Sequence, residues 1–254
     1  MRTHADLAGT VALVTGASRG LGRAIALALA EAGADLALAA RGAADLERAA
    51  AEAVRHGIRA EIFRVDMRQA SDIGALVEAA IRAFGRIDVL VNNAGISGDE
   101  KPFLDLAPED WDGVLAVNLR GAALCAQAVA RTMVERKRGR IINVGSIGAL
   151  KPISRLAPYC VSKAGLVQLT RVMALELARH NVQVNAVCPG YFSTPMNEAF
   201  FAGPKGQDII QRSIPMRRLG DPAELGPTVV FLAAEASSFM TGSIIVVDGG
   251  QMLT

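Results

Sequence analysis

Tyr159 and Lys163 stand four residues apart in the stretch P-Y-C-V-S-K at 158–163. In a helix that spacing stacks two side chains on one face. A phenol beside an ammonium is a tuned acid, because the positive charge favours the phenolate and lowers the tyrosine pKa. Bringing an ordinary phenol from about 10 to near neutrality takes roughly 4 kcal/mol of differential stabilisation. The pair is therefore a candidate proton donor and acceptor.

A second candidate lies in T-G-A-S-R-G-L-G at 15–22, which follows a short apolar run and opens a helical pattern. Glycines in such a turn let the backbone approach a pyrophosphate, and the helix N-terminus presents unpaired N–H groups to it. The spacing is G-x-x-x-G-x-G through Gly16, Gly20 and Gly22, with Ser18, Arg19 and Leu21 between and beside them. It differs from the G-x-G-x-x-G of the common dinucleotide fingerprint. A cofactor with a free ribose 2′-hydroxyl calls for a carboxylate at the end of the second strand. Ala40 occupies that place and Arg41 follows it, while Arg19 stands in the glycine turn. Two guanidiniums suit a 2′-phosphate, which they grip through a planar fork of donors. This reading favours NADP(H), with NAD(H) as the alternative.

The elements that must position these residues follow an alternating pattern. Apolar strand-like runs fall at 11–14, 36–40, 58–65, 87–91, 140–144, 182–187 and 244–247. Helical patterns fall at 21–32, 43–56, 71–84 with Ser71 and Asp72 as caps, 110–137, 158–179 and 223–234. Several strands are apolar on both faces, as in Ile141, Ile142 and Val144, or Ile244 to Val247. That is the mark of a parallel sheet covered by helices on both sides. The expectation is an α/β fold: one doubly wound Rossmann-type domain over 1–254, with about seven strands. Residues 188–221 carry four prolines and no clear strand, which predicts a substrate flap. Tyr191, Phe192, Phe200 and Phe201 lie in it and argue that it packs on something.

Composition narrows the function classes. The chain has 254 residues, 51% hydrophobic but only 4% aromatic, so its core is mostly aliphatic. A formal charge of +2 gives no argument for nucleic acid or an anionic membrane. Cys125, Cys160 and Cys188 form neither a CxxC nor a zinc spacing and read as reduced thiols of a cytoplasmic protein. His4, His56 and His180 are scattered, so no metal site is expected. The polar N-terminus gives no sign of a signal peptide, and no apolar run of membrane length is apparent.

Taken together, these residues resemble the short-chain dehydrogenase/reductase family over nearly the full length. The matching pieces are T-G-A-S-R-G-L-G at 15–22, Asp66, N-N-A-G at 92–95, Asn118, Ser146, Y-C-V-S-K at 159–163, P-G-Y-F-S-T at 189–194 and V-D-G-G at 247–250. The resemblance implies a tetrad of Asn118, Ser146, Tyr159 and Lys163. Tyr159 would exchange a proton with the substrate oxygen, and Ser146 would orient that oxygen. Lys163 would lower the tyrosine pKa and hold ribose hydroxyls. Asn118 would tie a water into the proton path. Asp66, with Met67 beside it, would meet adenine; Asn92, Ala94 and Gly95 would border the adenine ribose. Pro189, Gly190, Phe192 and Thr194 would meet the nicotinamide end.

The implied reaction interconverts a secondary alcohol and a ketone by hydride transfer. The pocket is expected to be walled by Ile96, Ile147, Leu150, Ile153, Tyr191, Phe192 and Met196, with Lys151 and Arg155 nearby, an apolar lining with anion partners. The P-G-Y-F-S-T-P-M flap at 189–196 resembles gluconate-type dehydrogenases of the family, which implies a small polar or cyclic substrate. A reductase of 3-oxoacyl thioesters is the alternative, although Leu175 stands before Glu176 where carrier-docking relatives place an Arg. The basic group Arg131, Arg136, Lys137 and Arg138 is the other element that could meet an acidic carrier. A cofactor-binding regulator without turnover is a third reading. The resemblance also implies a homotetramer or homodimer, with Ala122, Ala123, Ala126 and Ala130 available for close helix pairing.

Overall fold

The computed structural model describes residues 6–195 and 197–254; His4 with the rest of the polar N-terminus, and Met196 of the flap, lie outside the described residues. Seven parallel strands form one sheet: β1 (Val11–Thr15), β2 (Asp35–Ala40), β3 (Ala60–Arg64), β4 (Val89–Asn92), β5 (Gly139–Val144), β6 (Val182–Pro189) and β7 (Ile244–Val247), in the order β3-β2-β1-β4-β5-β6-β7. Chain order reverses between β1 and β4. The crevice outside the carboxyl ends of those two strands is where an open α/β sheet binds its ligand.

The helices are α1 (Gly20–Glu31), α2 (Ala43–Ala53), α3 (Ala70–Phe84), α4 (Pro108–Leu115), α5 (Ala122–Glu135), α6 (Ala157–Leu177), α7 (Glu198–Ala202), α8 (Pro204–Ser213) and α9 (Gly226–Ala233). Alternation along β1 divides the core. Ala12 and Val14 face a cluster with Ile25 and Leu29 of α1, Leu46 of α2 and Val229 of α9. Leu13 faces the opposite cluster, with Ile73 and Val77 of α3 and Cys125, Val129 and Met133 of α5. The buried set on α1 (Gly22, Ile25, Ala26, Leu29, Ala30) keeps the spacing of a single helical stripe.

The structure departs from the sequence-based expectation in several places. The helix expected over 110–137 is two helices joined by a π-helical segment, Ala116–Gly121. A widened turn of this kind commonly accompanies a functional site, and Asn118 lies in it. The joined helix is long and apolar enough to cross a membrane, contrary to the expectation above. Its apolar face is buried against the sheet, the position of a core helix. That burial also consumes Ala122, Ala126 and Ala130, which pack inside this chain and are not free for helix pairing. Helix α3 starts one residue early, with Gln69 at its N-cap; Ser71 and Asp72 lie in its first turn, and Asp72 accepts from Asp66 N at 3.3 Å.

The strandless stretch is a small folded cap. Helices α7 and α8 enclose Phe201, Ile210 and Ile214, against which Tyr191 and Leu219 pack. A single parallel bridge, Phe192 to Gly220, ties its two ends.

Candidate active site

The glycine turn sits at the mouth of the crevice and is stapled to β4. Thr15, buried at the end of β1, accepts from Asn93 N and Ala94 N at 3.1 Å each and donates to Val91 O at 3.3 Å. The Asn93 amide donates to Thr15 O at 3.0 Å and Gly16 O at 3.2 Å. Inside this knot a methyl on Gly22 would lie 2.2 Å from Gly16 O and 2.3 Å from Asn93 Nδ2, so only a glycine fits. Helix α1 opens here with no side-chain cap and no acidic residue in its first turn. Its unpaired N–H groups are free for a phosphate, so the turn fits a dinucleotide. Thr15 and Asn93 are positioning residues that the sequence reading quoted within motifs and gave no role.

Arg19 is the extended N-cap residue of α1 and is exposed. Arg41 follows β2, is also exposed, and acts on the charge of Asp66. Neither arginine side chain has a hydrogen-bond partner among the described residues. Asp66 is engaged by Arg68, whose Nε reaches both carboxylate oxygens at 3.0 Å. That pairing, aided by a backbone bond from Arg68, holds Asp66 down at about 2. Thr194 of the cap stands over the glycine turn: a methyl on Gly20 would lie 3.6 Å from its Cγ2.

Three expected cofactor contacts point their side chains elsewhere. Asn92 is buried and donates to Asn143 Oδ1 at 3.0 Å and Ala122 O at 3.3 Å, bracing β4 to β5 and α5. Met67 packs into the core beneath α3 and α5. Phe192 is buried against Gly220 in the opposite core.

The four chemistry-bearing residues converge at the carboxyl ends of β4 and β5. Asn118 is fully buried; its Oδ1 accepts from Ile96 N at 2.8 Å, and its Nδ2 donates to Ile96 O at 2.9 Å and Ser162 Oγ at 3.0 Å. It clamps the loop after β4 to α6. Tyr159 and Lys163 share one face of α6, and the Lys163 Nζ lies 5.9 Å from the phenol ring centroid. That ammonium donates to Val144 O at 2.7 Å. A methyl on Gly95 would stand 3.4 Å from it, so the glycine opens the crevice onto the lysine. Ser146 caps the turn after β5; its Oγ accepts from Gly148 N at 3.0 Å, which leaves its own proton to donate. The Ser146 Oγ and the Tyr159 Cε1 both flank Gly148, each 3.4 Å from where a methyl would sit.

The electrostatics correct one expectation. Burial raises the Tyr159 phenol above its ordinary value, and a hydrogen bond with Ser146 opposes this; Lys163 is not among the causes. Lys163 itself is pushed down to about 8 by burial. Its ammonium faces the Val144 carbonyl, and burial outweighs attraction at both groups.

The cations near the expected pocket are occupied. Lys101 is paired with Asp110 at 2.7 Å, Lys151 donates to Thr254 O, and Arg155 reaches Glu100 O at 3.4 Å. Cys125, Cys160 and Cys188 are free thiols, with Cys125 pushed up to about 12 by burial. Among the described residues no cluster of His, Cys, Asp and Glu could hold a metal.

A dinucleotide crevice at the switch point of a parallel sheet, with a phenol, a hydroxyl and an ammonium at one end, defines an oxidoreductase that works with a nicotinamide cofactor. A family model described as Enoyl-(Acyl carrier protein) reductase matches residues 16–252. The chain is 40% identical over 249 residues to a 3-oxoacyl-[acyl-carrier-protein] reductase of Synechocystis, covering 97% of this chain and 98% of that one. It is 39% identical over 248 residues to a 5-keto-D-gluconate 5-reductase of Escherichia coli, covering 98% and 97%. Among solved structures, a gluconate 5-dehydrogenase from Burkholderia cenocepacia in complex with NADP and tartrate superposes with a TM-score of 0.94 at 35% identity, covering 99% of this chain and 98% of that one. The chain belongs to the short-chain dehydrogenase/reductase family and is an enzyme that interconverts an alcohol and a ketone. The reading as a regulator without turnover is set aside.

Proposed function

We propose that the protein is an NADP(H)-dependent oxidoreductase of small polar or cyclic secondary alcohols and their ketones. The observation that carries the reading is the meeting of Ser146, Tyr159 and Lys163 at one end of a crevice whose other end is a free helix N-terminus. The nicotinamide, when bound, supplies or accepts the hydride. Ser146 orients the substrate oxygen by donating its hydroxyl proton, and Tyr159 gives that oxygen a proton or takes one from it. Lys163 supports the phenolate charge as it develops, and Asn118 holds the loop that shapes the site and ties a water behind the lysine. Two donors on one oxygen stabilise the charge that grows there.

Preference for NADP(H) is supported by Ala40 where a carboxylate would stand, and by Arg41 after β2 and Arg19 in the glycine turn, both exposed. A neutral substrate is supported by the engagement of Lys101, Lys151 and Arg155, which leaves none of these cations free for a carboxylate. The name of the Escherichia coli relative points to keto-sugar acids and that of the Synechocystis relative to acyl thioesters. Leu175, 82% exposed on α6, offers no cation to an acidic carrier, and Arg136 and Arg138 are paired with Asp88 and Glu235. A homotetramer in the cytoplasm completes the proposal; exposed Val172 and Leu175 on α6, and Phe239 before β7 with Val246 in it, are two apolar faces for it.

The test is steady-state reduction of a panel holding cyclic ketones, 5-ketogluconate and acetoacetyl thioesters, with NADPH and NADH. A kcat/KM at least tenfold higher with NADPH, lost in Arg41→Ala, supports the cofactor reading; equal values reject it. Fastest turnover of acetoacetyl thioesters transfers the assignment to thioester reduction.

A further inference from the structure

Tyr159 acts from an insecure place. Helix α6 begins at Ala157, so the phenol stands in its first turn. The N-cap residue is Leu156, with φ −122° and ψ 39°, and its side chain makes no bond to the helix. An uncapped first turn is the part of a helix that frays. Something other than a cap must hold the phenol in the crevice. Ser162, which directly precedes Lys163, is 0% exposed on the same helix. Its hydroxyl donates to Tyr159 O at 2.7 Å, one turn back. A serine inside a helix often bonds its own backbone in this way and gains the helix nothing. Here the same oxygen has a second partner, for it accepts from Asn118 Nδ2 at 3.0 Å.

Backbone groups fix the direction of each of these bonds. Ile96 N can only donate, so its partner at 2.8 Å is the amide oxygen of Asn118. Ile96 O can only accept, so its partner at 2.9 Å is the amide nitrogen. The second N–H of that nitrogen goes to Ser162, and the single Ser162 proton goes to Tyr159 O, which can only accept. The path joins three elements: the loop after β4, the π-helical segment and α6. A methyl on Gly95 would stand 3.3 Å from Asn118 Oδ1 and 3.4 Å from Lys163 Nζ, so the amide borders the crevice beside the lysine. The first turn of α6 is thus anchored from its side, through Ser162, where it lacks an anchor at its end.

We infer that Ser162 is a positioning residue for the reaction: it holds the first turn of α6, and with it the Tyr159 phenol, in register with Asn118. Without the hydroxyl, one Asn118 N–H is buried with no acceptor, and Tyr159 O loses its side-chain donor, both in the turn that carries the phenol. Ser162 is enclosed by protein and touches neither substrate nor cofactor, so its loss falls on turnover and not on cofactor affinity. The inference rests on Tyr159 as the acid and base of the alcohol–ketone reaction.

The experiment measures kcat with the fastest ketone of the panel above, and NADPH affinity by fluorescence titration. Ser162→Ala lowers kcat about tenfold or more and leaves the Kd for NADPH within about twofold. Ser162→Cys keeps the volume but bonds weakly through sulfur; it lowers kcat about threefold or more and decides the matter if the alanine variant does not fold. Asn118→Ala and the double variant with Ser162→Ala complete a cycle. Because the two residues act as one clamp, their losses in kcat do not multiply. Wild-type kcat in either Ser162 variant, or losses that multiply, overturns the inference. So does a Kd that rises as far as kcat falls, the mark of a general loosening. Wild-type kcat in Ser162→Ala beside an inactive Tyr159→Phe overturns this inference alone. Wild-type kcat in Tyr159→Phe, or a wild type that turns over no ketone of the panel, overturns the catalytic reading and this inference together.

Discussion

Replacing Lys163 by Met should make the protein more stable and inactive. Lys163 is 4% exposed, and burial brings its pKa from 10.5 to about 8. The unfolded chain holds the proton up to about 10.5 and the folded chain only to about 8. Between those values the unfolded state binds more protons, so stability rises with pH, and the full cost of the buried charge is present below 8. A gap of about 2.5 pH units corresponds to about 3 kcal/mol at pH 7. Against this stands the hydrogen bond to Val144 O at 2.7 Å, whose loss costs about 1 kcal/mol. The variant should gain about 2 kcal/mol, or roughly 5 °C in Tm for a chain of this size. At pH 10 the wild-type cost falls to about 1 kcal/mol, and the two proteins should melt together. Thermal melts by circular dichroism from pH 7 to 10, beside an NADPH oxidation assay at pH 7, read both effects. A variant that melts below wild type at pH 7, or a gap that does not shrink toward pH 10, would refute the buried-charge argument. Retained turnover would remove Lys163 from the chemistry.

Three further outcomes follow from the geometry. Tyr159→Phe should leave NADPH affinity, read by fluorescence titration, roughly intact and cut kcat by about 100-fold or more; wild-type kcat would exclude the phenol as the acid. Gly22→Ala forces a methyl to 2.2 Å from Gly16 O. It should cost about 1–3 kcal/mol in stability and weaken NADPH binding at least tenfold, checked by denaturant melts and titration. Arg68→Ala removes the main cause of the low Asp66 pKa, which should return from about 2 toward 3.8 in a carboxyl-detected NMR titration.

The sheet and its order of helices were legible because the central strands are apolar on both faces and each meets a Gly or polar turn. The α6 pair was legible because spacing on a helix fixes which side chains share a face. Three things were not. The π segment at Asn118 depends on where one extra residue enters a helix, and A-V-N-L-R-G carries no local mark of it. Which way a side chain turns at or just beyond a strand end has no local mark in the sequence, and those of Asn92, Met67 and Phe192 lie in the core. The sign of the Tyr159 shift needs a comparison of burial with charge. Sequence supplies the neighbour four residues away but not the carbonyl of Val144, 19 residues before Lys163 in the chain, to which the ammonium donates.

The direction of the Tyr159 shift bears on how the site works. A half-buried phenol and a buried amine, each shifted toward its neutral form, both resist charge. In such a setting a proton moves easily only when something else in the crevice accepts the resulting charge. Ser146, with its oxygen fixed by Gly148 N and its proton left to donate, is the group already arranged to do so at the substrate oxygen. The protein thus gives up folding stability to bury the Lys163 charge at rest, whereas Tyr159, neutral in the folded and unfolded chain alike at pH 7, costs none through its raised pKa. The Lys163→Met melts and the Tyr159→Phe kinetics therefore test separate parts of the site.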